Sequence, residues 1–470
     1  MDENHLAKLI YDAMVAFNDF LRGRIFPTES VGVLRSDPSG RGYHSELLTR
    51  PKLLNALFDY QSEHLDIPAA KTLMDYLWDH GGHRLTLQQD NGFPDRTGWA
   101  VNAFHMVVVN SLYYLWDQHS IRSLSATGSW PPWEVPDDEL NQLARDMASI
   151  EVGKGAIVKI MIPLLQLTLV DQKSFELEPG VTLRRWTLED KAIYLHINER
   201  VYQFTDAVGL HKGNCYLEIV TNEYHVFKKR AEECRNKQEV LANFVGSIVG
   251  RVKWAIMQVT NSMQLIRELA ATTKIQQSIW GFLPIHRQVM GLLTSGEIRL
   301  DVKGGQSAAK LLDLLQKAGT IYPDLLDVVW MFDRATLAVL PRDILLESAI
   351  GLERLLVTGS GENTRRFKFY GAALIGGHSP IKTASRLADI YSLRSSAAHG
   401  SDKKKEKFEK LSATARADLA MALANVVRLI VSSKITPEKE GEPISKSIEH
   451  YLVSHMNMAI QEDLNQADQY

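Results

Sequence analysis

Apolar residues near the start of the chain recur at helical spacing. Leu6, Leu9, Ile10 and Met14 form one such set, and Leu53, Leu54, Leu57 and Phe58 another. Both predict amphipathic helices. From Ala103 to Trp116 the apolar residues crowd together, through Met106-Val107-Val108-Val109 and Leu112-Tyr113-Tyr114-Leu115. A run of that length predicts a buried helix in preference to a strand. Residues 1–128 therefore read as a mostly helical domain of unknown role. The stretch Gly128-Ser129-Trp130-Pro131-Pro132-Trp133-Glu134-Val135-Pro136-Asp137 stops regular structure, because its prolines fix the backbone and remove donors. Trp130 and Trp133 read as anchors of this linker.

The period then changes. Asp137-Asp138-Glu139 opens a helix to about Ser149, and Ala156 to Val170 is rich in Ile, Val and Leu, as strands are. Around Pro179-Gly180, Phe175-Glu176-Leu177-Glu178 and Val181-Thr182-Leu183-Arg184-Arg185-Trp186 alternate with period two, which predicts a hairpin. Thr187, with Asp190 three residues on, marks a helix start. Cys215 to Phe227 suits a further strand, and Ala231 to Met263 a long helix. Residues 137–300 are thus expected to be a mixed α+β domain, regulatory or sensory.

Helices dominate again from 305 to 435: Ala308–Ala318, Leu325–Val339, one opening at Pro341 with proline in its first turn, and a long closing helix. Leu411, Ala415, Leu419, Ala422, Val426, Leu429 and Ile430 form the stripe of that last helix. From Thr436 to Pro443 the composition is that of a solvated linker. A short amphipathic helix follows, from Ile444 to about Ile460. The expected fold class is mainly α and multidomain, with residues 436–470 as a C-terminal linker and helix.

Composition narrows the function. The chain has 470 residues and a net charge of −3, so nucleic-acid contact would have to come from local basic patches. Two cysteines, Cys215 and Cys234, make neither a disulfide framework nor a metal cluster. No apolar run is long enough to span a membrane, and Met1-Asp2-Glu3-Asn4-His5 is no signal sequence. A cytoplasmic protein without membrane contact is expected. His80-Gly81-Gly82-His83 lacks companion ligands and reads as a loop. Gly153-Lys154-Gly155 and Gly359-Ser360-Gly361 lack the full phosphate-loop pattern and read as turns. Neither a metal nor a cofactor is expected.

The chemistry-bearing segment is Arg394-Ser395-Ser396-Ala397-Ala398-His399. Arginine holds a phosphate through two parallel hydrogen bonds, and histidine moves a proton near neutral pH. The two suffice to cut RNA without a metal, since the 2′-hydroxyl is itself the nucleophile. Leu387, Tyr391, Arg394 and Ala398 follow helical spacing, which puts Arg394 on an apolar stripe, where a charge must be paired or line a site. Ser395 and His399 share an adjacent face, and Gly400 ends the helix. The same spacing also fits an arginine that braces a bundle and a histidine at a helix end.

The order of motifs from about Asp324 to Ser433 resembles the HEPN superfamily, and within it the Apea-like HEPN domains. The resemblance rests on Leu352-Glu353-Arg354-Leu355-Leu356, the helix Arg365-Arg366-Phe367-Lys368-Phe369-Tyr370-Gly371-Ala372-Ala373-Leu374-Ile375, and Tyr391-Ser392-Leu393-Arg394-Ser395 followed by His399-Gly400. It covers about a quarter of the chain. It implies an all-helical, dimeric, metal-independent endoribonuclease in which Arg394 and His399 from two protomers meet in one cleft, with Glu353, Ser395 and Tyr391 in support. It further implies a prokaryotic anti-phage or stress-response setting, with a phage or cellular trigger. Glu353 would orient Arg394 or Arg366, the alternative being a surface glutamate. Arg365, Arg366 and Lys368, with Lys403, Lys404 and Lys405, would flank the cleft and contact RNA phosphates. Asp402, Glu406 and Glu409 interleave with the lysines and equally describe a solvated face. Many superfamily members carry Asn or Asp where this chain has Ser395. Some toxin-type members carry a modifiable Tyr where it has Ser401, so control by a nucleotidyltransferase antitoxin is not expected. The rival reading is a non-catalytic HEPN module that binds RNA, a nucleotide or a protein.

Overall fold

A computed structural model of the chain describes residues 1–21, 28–36, 43–51, 67–80, 96–109, 111–112, 115–116, 135–154, 156–187, 190, 214–224, 231–260, 267–268, 271–275, 279–283, 297–359, 362–376, 379–399 and 404–467. These residues are mostly helical, with a small sheet.

The predicted stripe of α1 (Glu3–Leu21) is buried, with Leu6, Ile10, Ala13, Met14, Phe17 and Leu21 facing inward. The next two elements depart from expectation. β1 (Thr28–Ser36) and β2 (Tyr43–Pro51) form an antiparallel ladder that sets Thr28 opposite Pro51 and Ser36 opposite Tyr43. The N-terminal region is therefore not helical throughout. The physical cue is the alternation in Val31-Gly32-Val33. The expected helix at 53–58 lies outside the described residues.

α2 (Pro68–Asp79) and α3 (Arg96–Phe104) pack onto α1 with a π-helical turn at His105–Val109, burying Trp99, Phe104, Val107, Val108 and Val109. α4 (Asp137–Glu151) adds Leu140, Leu143, Ala144 and Met147 to this same N-terminal core, and Lys154 just beyond it pairs with Glu3. The proline-rich stretch before α4 thus precedes the last helix of the first core; it does not end that core.

A second core begins with the sheet. Its strands are β3 (Ala156–Leu165), β5 (Ser174–Glu178), β6 (Val181–Arg185), β7 (Cys215–Tyr224), β8 (Arg267–Glu268), β9 (Ala271–Ile275) and β10 (Ile279–Leu283), in the order β10-β9-β3-β7-β6-β5, with β8 also on β3. All these pairings are antiparallel. β4 (Leu167–Leu169) pairs in parallel with β11 (Ile298–Leu300). The predicted hairpin is β5–β6. Gly180 there has φ +77°, and a Cβ on it would lie 2.7 Å from the Val220 carbonyl oxygen, so only glycine fits. Thr187 and Asp190 make reciprocal bonds, with the Asp190 amide 3.0 Å from Thr187 Oγ1 and the Thr187 amide 3.2 Å from Asp190 Oδ2.

α5 (Ala231–Thr260) joins this sheet to the helices α6 (Val302–Ile321), α7 (Leu325–Leu337), α8 (Pro341–Leu356), α9 (Asn363–Ile375), α10 (Pro380–Ala398), α11 (Lys405–Val431) and α12 (Ile444–Ala467). The expected boundary near residue 300 falls inside one continuous core, which runs from Val158 of the sheet to Leu452 of α12. Trp254 of α5 is fully enclosed and donates through Nε1 to the Ala420 carbonyl of α11, at 3.3 Å. Lys253, beside it, pairs with Asp333 of α7 at 3.3 Å, both side chains being almost completely buried. No helix among the described residues is long and apolar enough to cross a membrane.

The acidic connection before α12 is mostly exposed, as expected of a solvated linker, with Glu442 as the exception. The Glu442 side chain is 0% exposed. Its Oε2 accepts from the Glu438 amide and from Ser447 Oγ, each at 2.9 Å. These bonds, with nearby Lys446, hold its carboxyl well below the usual range, at about 2. α12 is longer than expected and buries Ile444, Ser445, Ser447, Ile448 and Leu452.

Candidate functional site

Three helices position the arginine. α8 carries Leu352, Leu355 and Leu356 into the core and leaves Glu353 half-buried at its margin. α9 and α10 form a helical hairpin that packs tightly at Gly371, where a Cβ would lie 2.7 Å from Leu387 Cδ1 and 3.1 Å from Leu356 Cδ1. α10 is fixed to α11 by Arg386, whose Nε and one terminal nitrogen reach the two oxygens of Asp418 at 2.9 and 2.8 Å. Burial pushes the Asp418 carboxyl up in spite of this partner. Such a fork is the geometry that suits Arg to carboxylate. The sequence signal that marks this pair is a charged residue inside the apolar run of α11.

The inward face of α10 is Thr383, Ala384, Leu387, Ile390, Leu393 and Ala397. Arg394 therefore sits beside this face, not on it, and Ala398 of the expected stripe is exposed. The reason is register: Leu393 and Ala397, one residue earlier, take the buried positions. A terminal nitrogen of Arg394 meets Glu353 Oε2 at 2.8 Å, with the arginine side chain 38% exposed and the glutamate 21%. Its guanidinium carbon lies 6.0 Å from the centre of the Tyr391 ring. That ring packs against Phe367 of α9, centroids 4.9 Å apart. An arginine offers five N–H donors. One ion pair and one ring contact aim the group and leave it part-exposed.

His399 is the residue that ends α10. Its amide donates to the Ser395 carbonyl at 3.1 Å, and its side chain is exposed. Among the described residues its imidazole has no hydrogen-bond partner. Ser395 is exposed too. On an ideal helix Arg394 and His399 point about 140° apart, and no bond joins them here. The structure thus gathers Arg394, Glu353 and Tyr391 and leaves His399 and Ser395 apart from them.

The basic residues divide. Arg366 is occupied: one terminal nitrogen bonds Thr358 through its carbonyl and, at 2.7 Å, its hydroxyl, and the other reaches Glu449 of α12 at 3.0 Å. It ties α9 to α12 and is not free to hold phosphate. Arg365 is exposed and meets Glu362 at 3.3 Å. Lys368 lies 5.0 Å from the centre of the half-exposed Phe369 ring. Lys404 donates to Ser396 Oγ at 2.8 Å, joining the start of α11 to the end of α10. Lys405 is exposed, as are Glu406, Lys407, Glu409 and Lys410. Lys403, Gly400, Ser401 and Asp402 lie outside the described residues.

A groove of about 640 Å³ opens beside Glu353, between the end of α8, the start of α9 and the start of α12. Asp324, Arg354, Thr358, Asn363, Ser445 and Lys446 are among the residues lining it. Arg354 is paired with Asp327 at 2.8 Å. Asp324 accepts from the Ile444 amide at 3.0 Å, yet burial raises its carboxyl pKa. Glu353 stands at the edge of this groove and also holds Arg394. No protein-family model, no curated protein and no solved structure matches this chain.

Proposed function

We propose that the chain is a metal-independent endoribonuclease of HEPN type. The observation that carries this reading is the Arg394 guanidinium, held by Glu353 at 2.8 Å yet still part-exposed, on the helix that ends at His399. In the proposed step, His399 takes the proton of a ribose 2′-hydroxyl. The oxygen then attacks the adjacent phosphorus, and a P–O2′ bond forms as the P–O5′ bond breaks. A histidine supplies the proton that the 5′ oxygen needs. Arg394 neutralises charge on the phosphorane-like transition state. The products are a 2′,3′-cyclic phosphate and a 5′-hydroxyl.

Arg394 and His399 diverge around one helix, so a second copy of the chain is proposed to complete the cleft. The N-terminal core and the sheet are then available to sense a trigger, in a cytoplasmic anti-phage or stress response. The test is to incubate the purified protein with total RNA in EDTA and map the ends. Cyclic phosphate and 5′-hydroxyl ends support the reading. Intact RNA under every trigger tried sinks it.

One observation favours a non-catalytic RNA- or protein-binding HEPN module instead: the Arg394–Glu353 pair already neutralises the arginine. The same experiment separates the two.

The basic start of α11 gives an expected result on binding. In a His399→Ala background that prevents turnover, Lys403, Lys404 and Lys405 together changed to Glu should weaken RNA binding. The change should also flatten the dependence of affinity on salt, because each neutralised phosphate adds to the slope, roughly 0.7 per contact for single strands. An unchanged slope and affinity would assign these lysines to a bystander surface.

A further inference from the structure

The chain entering α12 brings three metal-ligating side chains together. Glu438, Glu442 and His450 each present one ligand atom, and these atoms lie within 4.8 Å of one another. Two carboxylates and an imidazole suit a first-row transition metal ion better than magnesium or calcium, which prefer all-oxygen shells. His450 Nδ1 is already 3.0 Å from Glu438 Oε1.

A second observation concerns Glu442. Its Oε2 is saturated, but its Oε1 is buried and makes no hydrogen bond. The cation beside it is Lys446, with Nζ at 3.2 Å but outside hydrogen-bond geometry, on a side chain 41% exposed. That oxygen is thus compensated by Lys446 alone, and a lysine on a flexible, part-exposed stem is easily displaced from it.

We propose that Glu438, Glu442 and His450 form a zinc-class divalent cation site that staples the 436–443 connection to α12. Zinc takes carboxylate oxygen and imidazole nitrogen at about 2.0–2.2 Å, so tetrahedral ligands stand roughly 3.3 Å apart. The two outer ligands can close that distance: Glu438 is 67% exposed and His450 41%. Glu442 is the fixed anchor, water takes the fourth position, and Lys446 swings out to solvent. The site owes nothing to RNA cleavage. Its consequence is structural, because Ser445 and Lys446 form one wall of the groove beside Glu353.

The test uses the full-length, metal-stripped protein titrated with zinc chloride in a calorimeter. One zinc ion per chain is expected, with a higher thermal midpoint when loaded, as any ligand of the native state produces. Magnesium at the same concentration should neither bind nor compete. Glu442→Gln and His450→Ala should each weaken zinc binding at least tenfold. His450→Ala guards against misfolding as the cause, since that side chain is half-exposed and belongs to no core. The chain carries 15 histidines, so adventitious binding elsewhere is the competing explanation. Wild-type affinity in either variant, or no zinc binding by the wild type, would overturn the proposal.

Discussion

Arg394→Ala and His399→Ala are each expected to abolish RNA cleavage in EDTA while leaving the fold intact. Neither side chain is in the core: one is part-exposed and the other exposed. Removing a proton-transfer group typically costs about a hundred- to ten-thousand-fold in rate. Removing a transition-state charge stabiliser costs about a hundred- to a thousand-fold. Glu353→Gln should cost less, on the order of tenfold, because the arginine keeps its charge and its Tyr391 contact and loses only its aim. Single-turnover rates with a saturating oligonucleotide would rank the three, with circular dichroism confirming the fold. If folded Arg394→Ala or His399→Ala cuts at the wild-type rate, the mechanism is wrong. A Glu353→Gln loss as deep as that of Arg394→Ala would instead place the glutamate itself in the chemistry.

The second large effect is on stability. Lys253 and Asp333 form an ion pair that is 1% and 0% exposed, across the junction of α5 with α7. Their backbones are held close by Gly250, where a Cβ would lie 2.8 Å from Asp333 Cβ. Removing one member of such a pair takes a charged partner from a buried carboxylate, so Lys253→Met should destabilise by about 3–5 kcal/mol. Replacing both partners, with Lys253→Met and Asp333→Leu together, should recover most of that loss, because both buried charges are then removed. The readout is the denaturant midpoint of the transition that exposes Trp254, the residue next to Lys253, compared between the single and double variants. A single variant as stable as wild type would show that water or another group reaches Asp333. The junction matters to the architecture, because α5 and α6 both pack between the sheet and the helices that follow.

Local pattern alone was enough for the elements whose signal is periodic or covalent. The stripe of α1, the long α5 and the apolar face of α11 follow from side chains three and four residues apart. The β5–β6 hairpin follows from period-two alternation around a glycine that must adopt positive φ. Glu353 as the partner of Arg394 was one of three readings legible in the motifs, beside Arg366 and a surface glutamate, and the contact at 2.8 Å selects it. Tertiary structure decided the rest. A helical stripe says which face is apolar but not what covers it. For that reason α4 joins the N-terminal core, and the sheet shares its interior with the C-terminal helices. The roles of Arg366 and Arg386 depend on Glu449 and Asp418, residues far along the chain that only packing brings within reach. The same holds for Glu442. In sequence it is one acid in a charged run. In the fold, Glu438 and Ser447 close over it and turn a solvated side chain into a buried carboxylate. A one-residue shift in which positions of α10 face inward moved Arg394 from the core stripe to its edge, and only there can it meet both Glu353 and solvent.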